Sequence, residues 1–134
     1  MTAEERRQIL DRINHCPYNS ANGIAVTDVE PGLAIVEAEI RPEHKNIWGI
    51  PHGGLIFSLA DIACGVACRS LRQDAYTVTA GSSLNFLYAS QEIRRLRAEG
   101  RVIRSGHTLS VAQAEVYDDK GNHVATGQFT MHLS

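Results

Sequence analysis

A run of 17 residues, from 52 to 68, constrains the fold more than any other part of the sequence. The run is long enough for a helix, is apolar on every side and carries one formal charge, on Asp61. In a soluble protein, a helix of this kind is enclosed by the rest of the chain. A carboxylate left unpaired in such surroundings costs several kcal/mol, so the presence of Asp61 requires a chemical explanation.

The residues before this central helix predict a packing helix and a β-hairpin. Thr2 and Glu5 have the spacing of a capping box, and the helix that they begin is expected to end at Cys16-Pro17. Residues 23–30 and 33–40 have the composition of strands, and the proline and glycine between them are typical of a turn. We therefore expect an antiparallel pair of strands ahead of the central helix.

Four strands are predicted after the central helix, at residues 76–89, 93–104, 108–117 and 123–133. In the first of these strands, apolar side chains alternate with hydroxyl and amide side chains. The residues expected on its apolar face are Tyr76, Val78, Ala80, Leu84, Phe86 and Tyr88. Together the elements predict an α+β fold, a single domain over residues 1–134 in which an antiparallel sheet curls around one long helix.

Charge and cysteine content argue against several classes of function. A net charge of -2 and a pI near 6.3 do not suit a general nucleic-acid-binding protein, which needs a surplus of Lys and Arg. The polar N-terminus has no apolar run behind it, which predicts no signal peptide or membrane span and favours the cytoplasm. Cys16, Cys64 and Cys68 are expected to be reduced, and no spacing of His or Cys indicates a metal site.

The motif around the central helix resembles that of a known enzyme family. Asn46, five further residues and His52-Gly53-Gly54, followed by Ser58-Leu59-Ala60-Asp61, are similar to the pattern of hotdog-fold acyl-CoA thioesterases of the phenylacetate-degradation PaaI type. The order of the predicted elements agrees with this family over nearly the whole chain. The resemblance implies an enzyme that hydrolyses an aryl- or acyl-CoA to the free acid and coenzyme A, with no cofactor.

The residue types suit this chemistry. Gly53 and Gly54 let a ligand reach backbone N–H groups at the positive end of the helix dipole, which favours a carbonyl oxygen that gains charge. Gly53 is the better donor candidate, although both glycines could serve only a sharp turn and close packing. Asp61 could attack the thioester carbonyl, remove a proton from water, or merely accept hydrogen bonds.

The spacing of Gly53 and Asp61 predicts an oligomer. Eight residues of helix separate the two groups by about 12 Å along the axis and by about 80° around it. One carbonyl cannot touch both, so a site that uses both needs Asp61 of one chain and Gly53 of another, in a two-fold dimer with antiparallel helices. The resemblance implies the same arrangement, usually extended to a homotetramer as a dimer of dimers.

Other residues are assigned supporting roles. His52 could bond the carbonyl, position the water or only fix the loop, while Asn46 matches the family's loop asparagine and can donate to the carbonyl or hold the water. The family's strand hydroxyl is assigned to Ser82 in Gly81-Ser82-Ser83. Arg101 and Arg104 are candidates for the coenzyme A phosphates, although arginines that alternate along a strand more often form a solvated face.

Two other functions compete with the thioesterase hypothesis. A hotdog enoyl-CoA hydratase would share the fold, but its arrangement of histidine and acid is not found in this sequence. A non-catalytic acyl-CoA-binding protein or oligomeric scaffold would need no lone buried acid. Asp61 therefore favours the thioesterase, and an assay of thiol release would separate the three.

Overall fold

The computed structural model describes all 134 residues and confirms the predicted α+β architecture. The helices are α1 (Ala3–Asn14), α2 (Pro17–Ala21) and α3 (Gly53–Leu71). The strands are β1 (Ile24–Glu30), β2 (Leu33–Glu39), β3 (Thr77–Phe86), β4 (Arg95–Ser105), β5 (Leu109–Asp118) and β6 (His123–Leu133). All six strands form one antiparallel sheet in the order β1-β2-β4-β5-β6-β3, and this sheet curls around α3 as a hotdog fold.

The N-terminal region is as predicted except for one additional helix. Thr2 and Glu5 form the capping box that begins α1. The sequence predicted that Cys16-Pro17 ends this helix, and α1 does end at Asn14. Pro17 then begins the short helix α2, because a proline at the first helical position gives up only an N–H that would have no helical partner.

The core lies between α3 and the concave face of the sheet. By length and composition α3 could span a membrane, but ten of its residues are buried by the protein's own sheet. From β6, Ala125, Phe129, Met131 and Leu133 face this helix and are buried, as predicted. At Gly100 of β4 the sheet touches the helix backbone, where a Cβ atom would lie 2.4 Å from the Ala63 carbonyl oxygen.

One side of α3 is not covered by the chain, contrary to the prediction of a fully enclosed helix. The residues on this side, which we call the open stripe, are Gly54, Phe57, Ser58, Asp61, Ile62, Gly65 and Arg69, all exposed or half-buried. They recur every three or four residues and therefore share one helix face. Because the sheet covers only the opposite face, the charge of Asp61 is not enclosed by its own chain.

The direction of the β3 side chains also differs from the prediction. A bulge between Thr79 and Gly81 shifts the register against β6 and reverses the alternation of faces. The β3 residues opposite the core-facing positions of β6 are Thr77, Thr79, Ser82, Leu84 and Phe86. Tyr76 and Val78 point away from the core and are 70% and 57% exposed, so the predicted apolar face is wrong for these two residues and right for Leu84 and Phe86.

Two of the three cysteines belong to the core. Cys64 and Cys68 are fully buried on α3, and no disulfide links any of the three thiols. Burial raises the pKa of the Cys68 thiol to about 11. Burial, together with the neighbouring Cys68, raises the pKa of the Cys64 thiol still further. Both side chains are therefore packing groups rather than nucleophiles.

Replacement of Gly100 by alanine is expected to destabilise the fold. The added methyl group would overlap the backbone of α3 at Ala63, and overpacking of this kind typically costs about 1–3 kcal/mol. Denaturant unfolding should show a lower midpoint for Gly100→Ala. Gly81→Ala is the control, because a Cβ atom at Gly81 meets nothing within 4 Å. Equal stability of the two variants would contradict the close approach of β4 to α3.

Candidate active site

The first turn of α3 has one free backbone donor. His52 Nδ1 accepts from the Gly54 N–H at 2.7 Å, and the His52 carbonyl accepts from Leu55 and Ile56 at 3.0 and 3.3 Å. The Gly53 N–H has no acceptor in the protein. It therefore presents the positive end of the helix dipole to a ligand. The predicted substrate-binding Gly54 lies beside it, but its own N–H is occupied.

His52 caps α3 with one ring nitrogen and leaves the other without a partner. Its Nδ1 accepts the Gly54 N–H as the N-cap of α3, so this nitrogen carries no proton and the neutral ring carries its proton on Nε2. The side chain is exposed, and Nε2 has no acceptor in the protein. One ring nitrogen therefore fixes the helix start while the other can donate to a ligand.

Asn46 is held with its amide nitrogen free. Its Oδ1 accepts from the backbone N–H groups of Trp48 and Ile50, at 2.9 and 3.3 Å. Two backbone donors on one side of the amide require the oxygen there, so Nδ2 points to the other side, where no protein acceptor meets it. Asn46 is thus both the turn former and the free donor that the sequence suggested as alternatives.

The loop that carries these donors is anchored by His44. This side chain is 4% exposed; its Nδ1 accepts from the Arg41 N–H at 3.0 Å and its Nε2 lies 2.8 Å from the carbonyl oxygen of Asn22. The His44 carbonyl in turn accepts from the His52 N–H at 2.8 Å. His44 therefore links the end of α2 to the residue that caps α3.

A second link runs from α2 to the start of α3. The Tyr18 hydroxyl lies 2.7 Å from Ser58 Oγ, and Ser58 Oγ donates to the Gly54 carbonyl at 2.8 Å. Ser58 belongs to the open stripe, one turn before Asp61. The unpredicted helix α2 thus contributes to the order of the site from two directions.

Asp61 is half-buried and has one partner. The Thr79 hydroxyl of β3 donates a hydrogen bond to Asp61 Oδ1, while Oδ2 has no partner in the protein. No basic side chain pairs with this carboxylate. The Thr79 hydroxyl therefore orients the Asp61 carboxylate, and Oδ2 can still accept a hydrogen bond.

The donor cluster and the acid lie at different levels of the same helix. Gly53 adjoins Phe86, whose ring carbons would be 3.5 Å from a Cβ atom at Gly53, near the end of β3. Asp61 adjoins Thr79, near the beginning of that strand. A rigid helix separates the two groups by about 12 Å. Within one chain the donors and the acid do not meet.

The remaining predicted residues lie further from this arrangement. Ser82 faces the same side of β3 as Thr79, but it is Thr79 that touches Asp61. Arg101 and Arg104 are exposed on the side of β4 opposite to α3, since Gly100 and Val102, which flank Arg101, face the helix side. Their binding roles stay predictions.

The sequence of this chain matches a known family. The profile described as the Thioesterase superfamily matches residues 49–125, more than half of the chain. The chain belongs to the Thioesterase superfamily. It is therefore a thioester hydrolase, and the matched region contains Gly53, Asp61 and Thr79.

Known proteins are similar to this chain in structure or in sequence. The PaaI protein from the phenylacetic acid degradation operon of Escherichia coli aligns with a TM-score of 0.85 and 25% identity, over 97% of this chain and 91% of PaaI. A Streptococcus mutans protein bound to acetyl-CoA aligns with a TM-score of 0.75 and 30% identity, over 83% and 88%. The medium/long-chain acyl-CoA thioesterase YigI of Escherichia coli is 24% identical over 97% of this chain and 95% of YigI.

Sequence reasoning missed Thr79 and Phe86 as neighbours of the site. A strict alternation put Thr79 on the polar face of its strand, and only the bulge makes both residues face α3. The bulge adjoins Gly81, and an isolated glycine inside a strand is a sequence sign of such an irregularity. That glycine was the one available signal.

Loss of the Thr79 hydroxyl is expected to slow thioester hydrolysis. A hydrogen bond to a charged group contributes about 1.5–3 kcal/mol, so Thr79→Val should lower kcat roughly tenfold or more. Thr79→Ser retains the hydroxyl and should stay close to the wild-type rate. Thiol release measured under saturating substrate tests this, with circular dichroism as the folding control. A valine variant with wild-type kcat would exclude a role for this contact.

Proposed function

We propose that this thioester hydrolase is an acyl-CoA thioesterase of the PaaI type, which converts an aryl- or acyl-CoA to the free acid and coenzyme A. One observation carries the proposal: three donors at the start of α3, on Gly53, Asn46 and His52, have no acceptor in the protein. We place the carbonyl oxygen of the substrate against these donors, and Asp61 supplies a carboxylate whose Oδ2 has no partner in the protein. In a hydrolysis, the carboxylate would accept the proton of the attacking water, and the donors would stabilise the charge on the carbonyl oxygen.

The active site is proposed to form between two copies of the chain. Asp61 of one copy meets Gly53, Asn46 and His52 of the other, because one helix cannot bring them together. A two-fold axis that places Gly53 opposite Asp61 passes near Phe57, which lies midway between them. The open stripe would then face its symmetry mate.

The edge strand β3 supports the same interface. It ends the sheet without a neighbour, and its exposed apolar side chains include Val78 and Phe86, at 57% and 53% exposure. Unpaired edges with apolar side chains favour association, and a second β3 across the two-fold axis would continue the sheet. We further propose a tetramer built from two such dimers, on the basis of the PaaI resemblance.

Hydrolysis begins with a water molecule held by Asp61. Asp61 takes a proton from the water as its oxygen attacks the thioester carbonyl carbon, and Thr79 keeps the carboxylate in position. The charge that develops on the carbonyl oxygen is stabilised by the Gly53 N–H, the Asn46 amide and the His52 Nε2–H. Collapse of the tetrahedral intermediate breaks the C–S bond, and the proton on Asp61 passes to the sulfur. Acid and coenzyme A leave.

Alternatively, the Asp61 carboxylate itself would attack the thioester carbonyl carbon, with the same donors on the carbonyl oxygen. The carboxylate would form an anhydride with the acyl group and expel the thiolate, and water would then attack Asp61 Cγ, so that the bond from Cγ to the bridging oxygen breaks. Single-turnover hydrolysis in ¹⁸O-labelled water distinguishes the two routes. A general base transfers the label to the product acid in the first turnover, whereas a nucleophile leaves an oxygen of Asp61 in the acid.

The acyl preference follows from apolar surroundings. Phe86 lies beside Gly53, so the acyl group would rest on an aromatic ring once its carbonyl binds the Gly53 N–H. The PaaI resemblance makes phenylacetyl-CoA and phenylacetate degradation the first case to test, while the similarity to YigI makes medium- and long-chain acyl-CoAs the second.

Buried reduced thiols support the proposal that the enzyme acts in the cytoplasm.

A panel of acyl-CoAs tests the activity and the role of Asp61 together. The wild-type protein should release thiol from at least one aryl or medium-chain acyl-CoA. Asp61→Asn keeps the size and the Thr79 hydrogen bond of the side chain but removes the base, so it should lower the rate by about 10²–10⁴. Leu84→Ile, a conservative change on the neighbouring strand, serves as a control for folding and assembly.

Three outcomes would contradict this assignment. Near-normal rates in Asp61→Asn would exclude Asp61 as base or nucleophile. Tight binding of acyl-CoAs without turnover would favour a non-catalytic binding protein. Hydration of crotonyl-CoA without thiol release would favour a hydratase.

A further inference from the structure

We propose that Arg12 and Arg69 bind the phosphates of the coenzyme A moiety, at the end of α3 remote from its own Gly53. This inference rests on the proposed function, and it assigns the phosphate contacts to a groove between two helices rather than to β4. The groove lies on the same chain as the Asp61 that it serves. The argument depends on a cavity, on unpaired charge and on the direction in which the substrate must leave.

The groove lies between α1 and the C-terminal half of α3. It encloses a cavity of about 260 Å³, with Arg12 and Gln8 on the α1 side and Arg69 and Gln73 on the other. A second cavity of about 210 Å³ continues beyond it and is lined by the same two arginines and Gln73. Arg12, Arg69 and Gln73 thus line both cavities, and Gln8 lines the first.

Neither of these two arginines is paired directly with an acid of the protein. Neither Arg12 nor Arg69 forms an ion pair or a side-chain hydrogen bond, whereas Arg95 pairs with acids of β2 and Arg97 with Glu99. The two acids that border the groove contact other groups of the protein. Glu5 accepts the Thr2 N–H in the capping box, and Asp74 pairs with Arg72. Two free guanidinium groups form a site that suits a phosphate or pyrophosphate anion.

The dimer geometry leaves the substrate one direction of exit. From Asp61 toward Phe57, the substrate would approach the two-fold axis and collide with the symmetry-related site. From Asp61 toward Arg69, the open stripe continues past Gly65, whose nearest neighbour to a Cβ atom is Met131 Cε at 3.9 Å. The long nucleotide arm should therefore leave along Ile62 and Gly65, where no large polar side chain blocks it.

The distances match the length of coenzyme A. Asp61 and Arg69 are eight helical residues apart, or about 12 Å along the axis, and the arginine side chain extends further. The pantetheine arm, from sulfur to the first phosphorus, has about as many backbone bonds as four to five peptide residues and spans roughly 15 Å. A thioester at Asp61 would therefore bring the phosphates within reach of Arg69 and of Arg12 across the groove.

The predicted phosphate residues Arg101 and Arg104 are in a less favourable place. Both side chains leave β4 on the face turned away from α3, so the sheet itself lies between them and Asp61. They bind a substrate at this site only if its nucleotide arm passes around an edge of the sheet. Arg12 and Arg69 lie on the same side of the sheet as the open stripe.

The experiment compares the variant Arg12→Gln/Arg69→Gln with the wild-type protein. Calorimetry measures binding of coenzyme A and of pantetheine, which has no phosphate. Because each hydrogen bond to a charged group contributes more than a tenfold factor in affinity, the Kd for coenzyme A should rise at least tenfold while that for pantetheine stays unchanged. In steady state, KM for an acyl-CoA should rise similarly with kcat within about twofold, and the same acyl group on N-acetylcysteamine should show no change.

Controls separate a binding role from a structural one. Arg7→Gln/Lys120→Gln removes the same charge from exposed positions and should bind coenzyme A as the wild type does. Arg69 also lies in the last turn of α3, where a cation stabilises the helix dipole. A lowered Tm of the double variant with unchanged affinity for coenzyme A would show that structural role alone and overturn the proposal.

Further outcomes have definite meanings. Loss of coenzyme A affinity in Arg101→Gln/Arg104→Gln but not in Arg12→Gln/Arg69→Gln would assign the phosphates to β4 and overturn the proposal. If the wild type binds coenzyme A through Arg12 and Arg69 but hydrolyses no thioester, the proposed function fails and the phosphate site stands. If the wild type hydrolyses acyl-CoAs and the variant binds coenzyme A equally well, only the phosphate site fails.

Discussion

The rigidity of α3 is the constraint on which the remaining features depend. A helix fixes Gly53 and Asp61 about 12 Å apart, so a chain that carries both an oxyanion donor and an acid on one helix cannot use them on one carbonyl. Three features of the single chain are consistent with this separation of Gly53 from Asp61. The open stripe, the unpaired β3 edge and the donors without acceptors are all incomplete in one chain, and one two-fold axis would complete them together.

Two polar residues at the start of α3 combine a structural contact with a free donor. His52 caps α3 with one ring nitrogen and leaves the other free, and Asn46 uses its oxygen to close a turn and leaves its NH₂ group free. His44, buried behind the loop, fixes His52 by accepting its backbone N–H. Donors held in this way need no reorganisation when charge develops on a bound carbonyl, which is the main source of electrostatic catalysis.

The sequence predicted the elements well and their contacts less well, for physical reasons. The periodicity of residues 52–68 and of the six strands follows from which side chains meet the core, so the element types and a sheet curled around one helix could be deduced. The hotdog fold was indicated by the resemblance of the motif. The bulge beside Gly81 reverses the faces of β3, and local alternation does not contain that information. Thr79 was therefore missed. Helix α2 and the link from His44 to Asn22 depend on partners distant in sequence.

Complementation between two inactive variants tests the shared site most directly. Gly53→Pro removes the donor N–H at the first helical position, where proline is tolerated, and His52 already has the extended backbone (φ -66°, ψ 141°) that precedes a proline. Asp61→Asn removes the acid. Each variant alone should be inactive, and after subunit exchange the mixture should recover about a quarter of the wild-type thioester hydrolysis, because half of the dimers contain one intact site. No recovery in mixtures shown to contain hybrid dimers would contradict a site formed by Asp61 of one copy and Gly53 of the other.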